Sequence, residues 1–167
     1  MTRKSSRLVP AGIGIKPVVL VSLSGLVLCG FTAFMAFLER FMYFYGKITS
    51  YDDAGNRVFS GDEKMQPLIS FNANFDIFKI FFLCMALLGV YFFLHHFIGS
   101  KSIYTMRRLK NPLELYIRCL AVPVIFIILG IALIYILNFI YIEIYLALVP
   151  EEYLYPWWNA NIWRDLL

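Results

Sequence analysis

Residues 100–118, SKSIYTMRRLKNPLELYIR, decide the fold because they form a strongly polar break between two long apolar runs. The runs are residues 75–98 and 119–149, and a run of about 18 or more apolar residues with few charges is typical of a membrane-spanning helix. The break therefore predicts a loop between two spans. It holds five of the 15 basic residues of the chain, which are Lys101, Arg107, Arg108, Lys110 and Arg118.

A further span is predicted near the amino terminus, over residues 17–45. Its apolar part, residues 17–38, has about 22 residues, enough to cross roughly 30 Å of hydrocarbon, and the aromatic residues up to position 45 are typical of a membrane interface. No short core with a cleavage site marks a secretory signal. The chain is 60% hydrophobic and only 16% charged, against about 25% charged in soluble domains. We therefore predict an all-α integral membrane protein.

The run at residues 119–149 is predicted to cross once, giving three transmembrane helices in total. Two crossings would leave about 15 residues each, too few to span the bilayer. The tail, residues 150–167, contains Trp157, Trp158 and Trp163, and tryptophan favours a segment that lies at the membrane surface.

Basic residues predict the orientation of the three spans. Residues 1–16 carry four basic residues and no acid, and residues 99–118 are also basic. Basic segments beside membrane spans stay on the cytoplasmic side, so both segments are expected there. Residues 46–74 and 150–167 are then external. The external loop is rich in turn residues around positions 52–56, a pattern that allows a small hairpin.

Five charged residues fall near the predicted outer ends of the spans: Glu39, Arg40, Asp76, Lys79 and Glu143. Charge within a membrane is costly unless it is paired, so one hypothesis is a gate or a substrate-binding cluster at the outer mouth. The alternative is ordinary interfacial charge on side chains that reach the water. Glu143 is the hardest to explain as ordinary interfacial charge, because apolar residues flank it on both sides.

Packing explains the other notable residues in the spans. Gly25, Cys29 and Ala33 recur every four residues, so they predict a strip of small side chains that another helix can approach. Asn138 is expected to bond across helices for about 1 kcal/mol. The three cysteines are predicted to be buried thiols. His95 and His96 point about 100° apart on one helix, so they do not form a haem pair.

No catalytic motif is found: the sequence has no phosphate-binding loop, no G-x-S-x-G elbow and no H-E-x-x-H pair. The net charge of +4 comes from clusters beside the spans and does not indicate a nucleic-acid partner. We therefore predict a protein that is not an enzyme and that has neither a metal nor a cofactor of its own.

The basic loop has the pattern of a short helix. Ile103, Met106 and Leu109 form a narrow apolar stripe, and Asn111 before Pro112 ends the helix. Asn111 is then expected to cap the third span, with Pro112 at its first position and Glu114 three residues after the cap. One interpretation is an amphipathic helix on lipid headgroups, with its arginines on anionic phosphates. The other is a helix that docks on a partner protein.

Four consecutive features of the sequence resemble the first half of ABC-2-type permeases, the membrane subunits of bacterial ABC transporters. They are a span, a short basic helix SIYTMRRL, an Asn-Pro corner and a long span. The resemblance covers residues 17–149. It implies a cytoplasmic coupling helix that sits on a nucleotide-binding ATPase subunit. The matching positions are Tyr104, Thr105, Met106, Arg107, Arg108 and Leu109. Such permeases have six spans, so the resemblance implies a half-permease that dimerises, or an accessory subunit.

The resulting hypothesis is a membrane subunit of an ATP-driven transporter in a bacterial plasma membrane, with ATP bound by the partner chain. Its partners would be the ATPase, further copies of itself or a second membrane subunit, and membrane lipid. The alternative is a non-transporting anchor or assembly subunit of a larger complex, and a third hypothesis is a haem- or quinone-bearing anchor of a respiratory complex.

Overall fold

The computed structural model describes residues 14–53, 55, 57–59, 64–68, 75–98 and 113–154. Its elements are helix α1 (Ile15–Ile48), strands β1 (Thr49–Tyr51) and β2 (Arg57–Phe59), helix α2 (Asp76–Ile98), helix α3 (Leu113–Leu148) and a 3-10 turn (Glu151–Tyr153). Within these residues, three helices are long and apolar enough to cross a membrane. The prediction of a helical, multi-pass membrane protein is confirmed at this level.

Two of the helices are longer than one crossing requires. Helix α1 has 34 residues and α3 has 36, so at 1.5 Å per residue they measure about 51 and 54 Å. Helix α2 has 23 residues and measures about 35 Å. Since the hydrocarbon core is roughly 30 Å thick, α1 and α3 tilt strongly or extend beyond it.

Helix α3 begins at Leu113, six residues before the predicted span. The helix therefore begins within one residue of the start that the Asn111–Pro112 corner predicts, and it includes Glu114 and Arg118 ahead of the apolar run. Hydrophobicity identifies the apolar part of a helix, whereas the corner predicts where the helix begins.

The residues group into two compact units, each described by itself. The first comprises Met1–Gly30 and Ile77–Leu133, and the second comprises Phe31–Asp76 and Ile134–Leu167.

In the first unit the three helices run alternately up, down and up. A Cβ placed on Gly25 would lie 3.4 Å from the ring of Phe81, and the thiol of Cys29 lies 4.0 Å from the carbonyl oxygen of Ile77, so α1 and α2 are antiparallel. The predicted small-residue strip thus faces α2 at Gly25 and Cys29.

Helix α3 contacts both of its neighbours in this unit. A Cβ on Gly130 would meet Phe82 at 2.6 Å and Leu26 at 3.6 Å, and one on Gly89 would meet Leu120 at 3.4 Å. These pairs make α3 antiparallel to α2 and parallel to α1. Consequently α1 begins, α2 ends and α3 begins at the same end of the unit.

The second unit joins the carboxyl-terminal parts of α1 and α3 to a small hairpin. Strands β1 and β2 are antiparallel, with Thr49 opposite Phe59 and Tyr51 opposite Arg57. The turn between them is closed by a 2.7 Å bond from the Gly55 N–H to the Asp52 carbonyl. Gly55 has a φ of 77°, a left-handed conformation that glycine adopts without steric cost.

Candidate functional site

A stack of aromatic rings fills the centre of the second unit. The rings of Phe37 and Tyr141 lie face to face, with centroids 3.9 Å apart and planes 7° apart. Phe34 and Phe75 stack on Tyr141 at 6.3 and 5.9 Å. Phe37 is 0% exposed and Tyr141 is 1% exposed. The stack fixes α1 and α3 side by side, and aromatic pairs contribute about 0.5–1.5 kcal/mol beyond the area they bury.

A second aromatic contact lies one helical turn further along. Phe41 meets Tyr145 edge to face, with ring centroids 6.4 Å apart, and both side chains are buried. Phe37 and Phe41 are four residues apart, as are Tyr141 and Tyr145, so each pair projects from one helix face. This regular spacing aligns the two parallel helices up to their ends.

Three separated segments of the chain are held together beside these helix ends, and we call their contacts the clasp. Tyr145 donates its hydroxyl hydrogen to the carbonyl oxygen of Gln66 at 3.0 Å. The Met65 N–H donates to the carbonyl oxygen of Tyr153 at 2.9 Å. The Tyr153 hydroxyl donates to the carbonyl oxygen of Phe59 at 3.3 Å, and the two rings lie 5.2 Å apart.

Burial of Met65 explains why the clasp forms. Its side chain is 1% exposed, and Ile48, Leu68 and Val149 of the same unit are also buried. A buried backbone N–H needs an acceptor, and the carbonyl of Tyr153 supplies one. Apolar burial therefore draws residues 64–68 inward, and the hydrogen bonds fix their position. The clasp thus connects three segments: the hairpin, residues 65–66, and the end of α3 together with the 3-10 turn that follows it.

Two buried polar atoms within the described residues have no hydrogen-bond partner: the side-chain carbonyl oxygen of Asn138 and the hydroxyl of Tyr141. They lie three residues apart on α3. The sequence predicts that Asn138 bonds across helices, but its side-chain oxygen does not do so in the described part of the chain. A buried polar atom without a partner costs about 1–3 kcal/mol.

The two tyrosine hydroxyls of α3 give a matched test of the clasp. Tyr145→Phe removes a hydroxyl that donates to Gln66, so we expect a loss of about 1 kcal/mol in the free energy of unfolding. Tyr141→Phe removes a hydroxyl with no partner in the described structure and is expected to be neutral or slightly stabilising. Thermal unfolding of both variants in the same detergent measures the difference. Equal losses in both would contradict the assigned hydrogen bond.

The predicted outer charge cluster consists of exposed side chains. Glu39, Arg40, Asp76, Lys79 and Glu143 are all exposed. Asp76 and Lys79 fall in different units. None of the five is enclosed between helices in the described structure, and the choice between a cluster and interfacial charge stays a prediction.

Other predicted sites have mixed outcomes. Three predicted features lie outside the described residues. They are the Asn111–Pro112 corner, the tryptophans of the tail, and the coupling residues Tyr104, Thr105, Met106, Arg107, Arg108 and Leu109. No disulfide is found among the cysteines, all of which the structure describes; Cys29 and Cys119 are buried as predicted, whereas Cys84 is exposed on α2. The described ranges contain no group of three or more His, Cys, Asp or Glu placed to hold a metal.

The sequence patterns do not indicate the clasp. Met65 lies in a polar, turn-rich stretch assigned to a solvated loop, and Tyr145 and Tyr153 were read only as part of a span and of an interfacial tail. The spacing of Phe37, Phe41 and Tyr45 against Tyr141 and Tyr145 indicates matched aromatic faces on two helices, which is a signal for the neighbouring aromatic contacts and not for the clasp.

Searches against family models, curated proteins and solved structures find no match for this chain.

Proposed function

We propose that this multi-pass membrane protein is a non-enzymatic anchor or assembly subunit that presents a fixed surface beyond the bilayer to a partner protein. The clasp is the observation that carries the proposal. It fixes the hairpin and residues 65–66 against the end of α3 and the 3-10 turn by hydrogen bonds and by buried side chains. A loop needed only to connect two spans requires no such fixation, whereas a docking surface gains affinity when it is preorganised.

The hairpin supplies a suitable surface. Tyr51 is 68% exposed and Val58 is 43% exposed, and the neighbouring Asp52 and Asp53 are exposed as well. Tyrosine is enriched at protein interfaces, with polar residues at the rim. Tyr51 pairs with Arg57 and Val58 pairs with Ser50, so the two apolar side chains project from opposite faces of the hairpin. The hairpin therefore suits a partner that contacts both of its faces, with basic groups near the aspartates.

The test is affinity purification of the full-length protein in gentle detergent, followed by mass spectrometry. We expect Tyr51→Ala with Val58→Ala to lose a partner that the unchanged protein retains. Tyr43→Ala is the matched control, since Tyr43 is 62% exposed on α1 outside the hairpin. Recovery of the same partners in the same amounts from the hairpin variant would refute the docking role.

A second candidate is the transporter subunit suggested by the resemblance to ABC-2-type permeases. The arrangement of the first unit favours it, because α2 ends and α3 begins at the end where α1 begins. A segment that links two neighbouring helix ends has the connectivity a coupling loop needs, and motion of that segment would shift the helices between two states. This hypothesis places the basic segment and the amino terminus in the cytoplasm.

Charge reversal tests the transporter hypothesis. Arg107→Glu with Arg108→Glu is expected to abolish co-purification of an ATPase and to abolish ATP-dependent flux in liposomes. The control is Lys16→Glu, which reverses an exposed charge at the same end of the first unit and should change neither. If the double variant keeps both the ATPase and the flux, the coupling role is wrong.

A further inference from the structure

A small cleft lies in the second unit, at the carboxyl-terminal end of α1. One side is formed by the last turns of α1 and the other by residues 64–66. Two of the six lining residues are lysines, and none of the six, all of which the structure describes, is acidic. The lining residues are Phe44, Lys47, Ile48, Lys64, Met65 and Gln66.

The backbone is fixed on both sides of the cleft. The hydrogen bonds of the clasp hold residues 65–66, and Lys64 directly precedes them. On the other side, Lys47 belongs to the last turn of α1, and the neighbouring Ile48 is 2% exposed. The two lysine side chains therefore start from fixed positions, and a ligand that binds between them has little backbone to order.

The Lys47 side chain is directed back along α1. Its Nζ lies 4.8 Å from the ring centroid of Tyr43 and 5.8 Å from that of Phe44, where the faces of the rings attract the cation. These aromatic residues precede Lys47 by four and three positions. The ammonium group consequently lies beside the preceding turn of α1, on the side of the apolar part of the helix.

Aromatic residues place the cleft at the level of the lipid headgroups. Helix α1 is apolar over residues 17–38 and then carries aromatic side chains at positions 41 and 43–45. Tyr43 is 62% exposed. Exposed aromatic side chains at the end of a membrane helix lie at the headgroup level. The anions present there are the phosphate groups of the phospholipids, so the position of the cleft favours a lipid as the source of its ligand.

The chemistry of the cleft suits a phosphate group. Lys47 and Lys64 each offer three N–H donors, and the side-chain amide of Gln66 offers two more. All three side chains are exposed and are therefore accessible to a ligand. Phosphate oxygens accept such charge-assisted hydrogen bonds, whereas a choline headgroup would bring a further cation beside the two lysines. We propose that the cleft binds the phosphate group of an anionic phospholipid.

The first test measures the lipid that remains bound during purification. The full-length protein is reconstituted in vesicles with equal amounts of phosphatidylglycerol and phosphatidylcholine and is extracted in mild detergent. Its bound lipid is quantified by mass spectrometry. Each basic residue beside a membrane raises the affinity for anionic lipid roughly fivefold. We therefore expect Lys47→Gln with Lys64→Gln to lower the ratio of phosphatidylglycerol to phosphatidylcholine by roughly fivefold or more.

Two control variants separate the cleft from the net charge. Lys16→Gln with Lys79→Gln removes the same number of positive charges from exposed positions of the first unit and should keep the ratio. Lys47→Arg with Lys64→Arg retains both charges in the cleft and should keep it as well. If Lys16→Gln with Lys79→Gln lowers the ratio as much as the glutamine pair in the cleft, the preference is a general effect of charge and the proposal is wrong.

The second test measures amide hydrogen exchange in residues 64–68. Because a ligand that binds only the folded clasp stabilises it, exchange should be slower in phosphatidylglycerol vesicles than in phosphatidylcholine vesicles. The difference should disappear in the variant with glutamine at positions 47 and 64. Inorganic phosphate added to phosphatidylcholine vesicles should not reproduce it. Equal slowing by inorganic phosphate would make free phosphate the ligand, and a difference that persists in the glutamine variant would refute the site.

Discussion

Tyr141→Ala is expected to lower the free energy of unfolding by about 3–5 kcal/mol, the usual cost of removing a large buried aromatic side chain. Tyr141 is 1% exposed, and its ring contacts Phe37 at 3.9 Å as well as Phe34 and Phe75. Alanine leaves a cavity between α1 and α3 that the surrounding rings fill only in part. Thermal or denaturant unfolding of the purified protein in detergent measures the loss.

Two control variants identify the cause of that loss. Phe139→Ala removes a ring from the same helix at a position 60% exposed, so its cost should be small. Tyr141→Phe retains the ring and should keep nearly full stability. A loss from Phe139→Ala as large as that from Tyr141→Ala would show that the second unit does not pack around Tyr141.

Met65→Ala should have the next largest effect, a loss of about 2–4 kcal/mol, within the range for a buried methionine. The expected damage is local, because Met65 holds residues 64–68 against the helix ends and its N–H bonds to Tyr153. Amide hydrogen exchange should therefore rise in residues 64–68 and 145–154 and should stay unchanged in the first unit.

Gln66→Ala is the matched control for this variant. The Gln66 side chain is exposed, and the clasp uses only its backbone carbonyl, which alanine retains. We expect Gln66→Ala to keep the native exchange pattern. If the alanine variants at positions 65 and 66 exchange alike, burial of Met65 does not hold the clasp.

Hydrophobicity was sufficient to predict the membrane helices, because each is a continuous apolar run with charges at its edges. The predicted second span, residues 75–98, matches α2 within one residue. The apolar run begins only at residue 119, whereas α3 begins at Leu113, so its start was predictable from the Asn111–Pro112 corner and not from hydrophobicity. Hydrophobicity shows which part of a helix is apolar, but it does not show at which residue the hydrogen bonds of the helix begin.

Contacts between distant residues were not predictable in the same way. Tyr145 and Gln66 are separated by 79 residues, and Tyr153 and Phe59 by 94. No periodicity connects such positions, so the sequence alone did not indicate the clasp. The outer charges illustrate a related limit: the sequence placed Glu39 and Glu143 at a similar depth, but only the structure showed that both are exposed. The docking helix at residues 101–110 stays a prediction.

The order in which a ribosome makes the chain has a consequence for the clasp. Phe59 and Met65 leave the ribosome long before Tyr153, so the earlier loop must wait unpaired while two more helices enter the membrane. Pairings between distant residues form late because the intervening chain must first be ordered. The Met65 side chain therefore reaches its buried position only after the residues that follow α3 have been made.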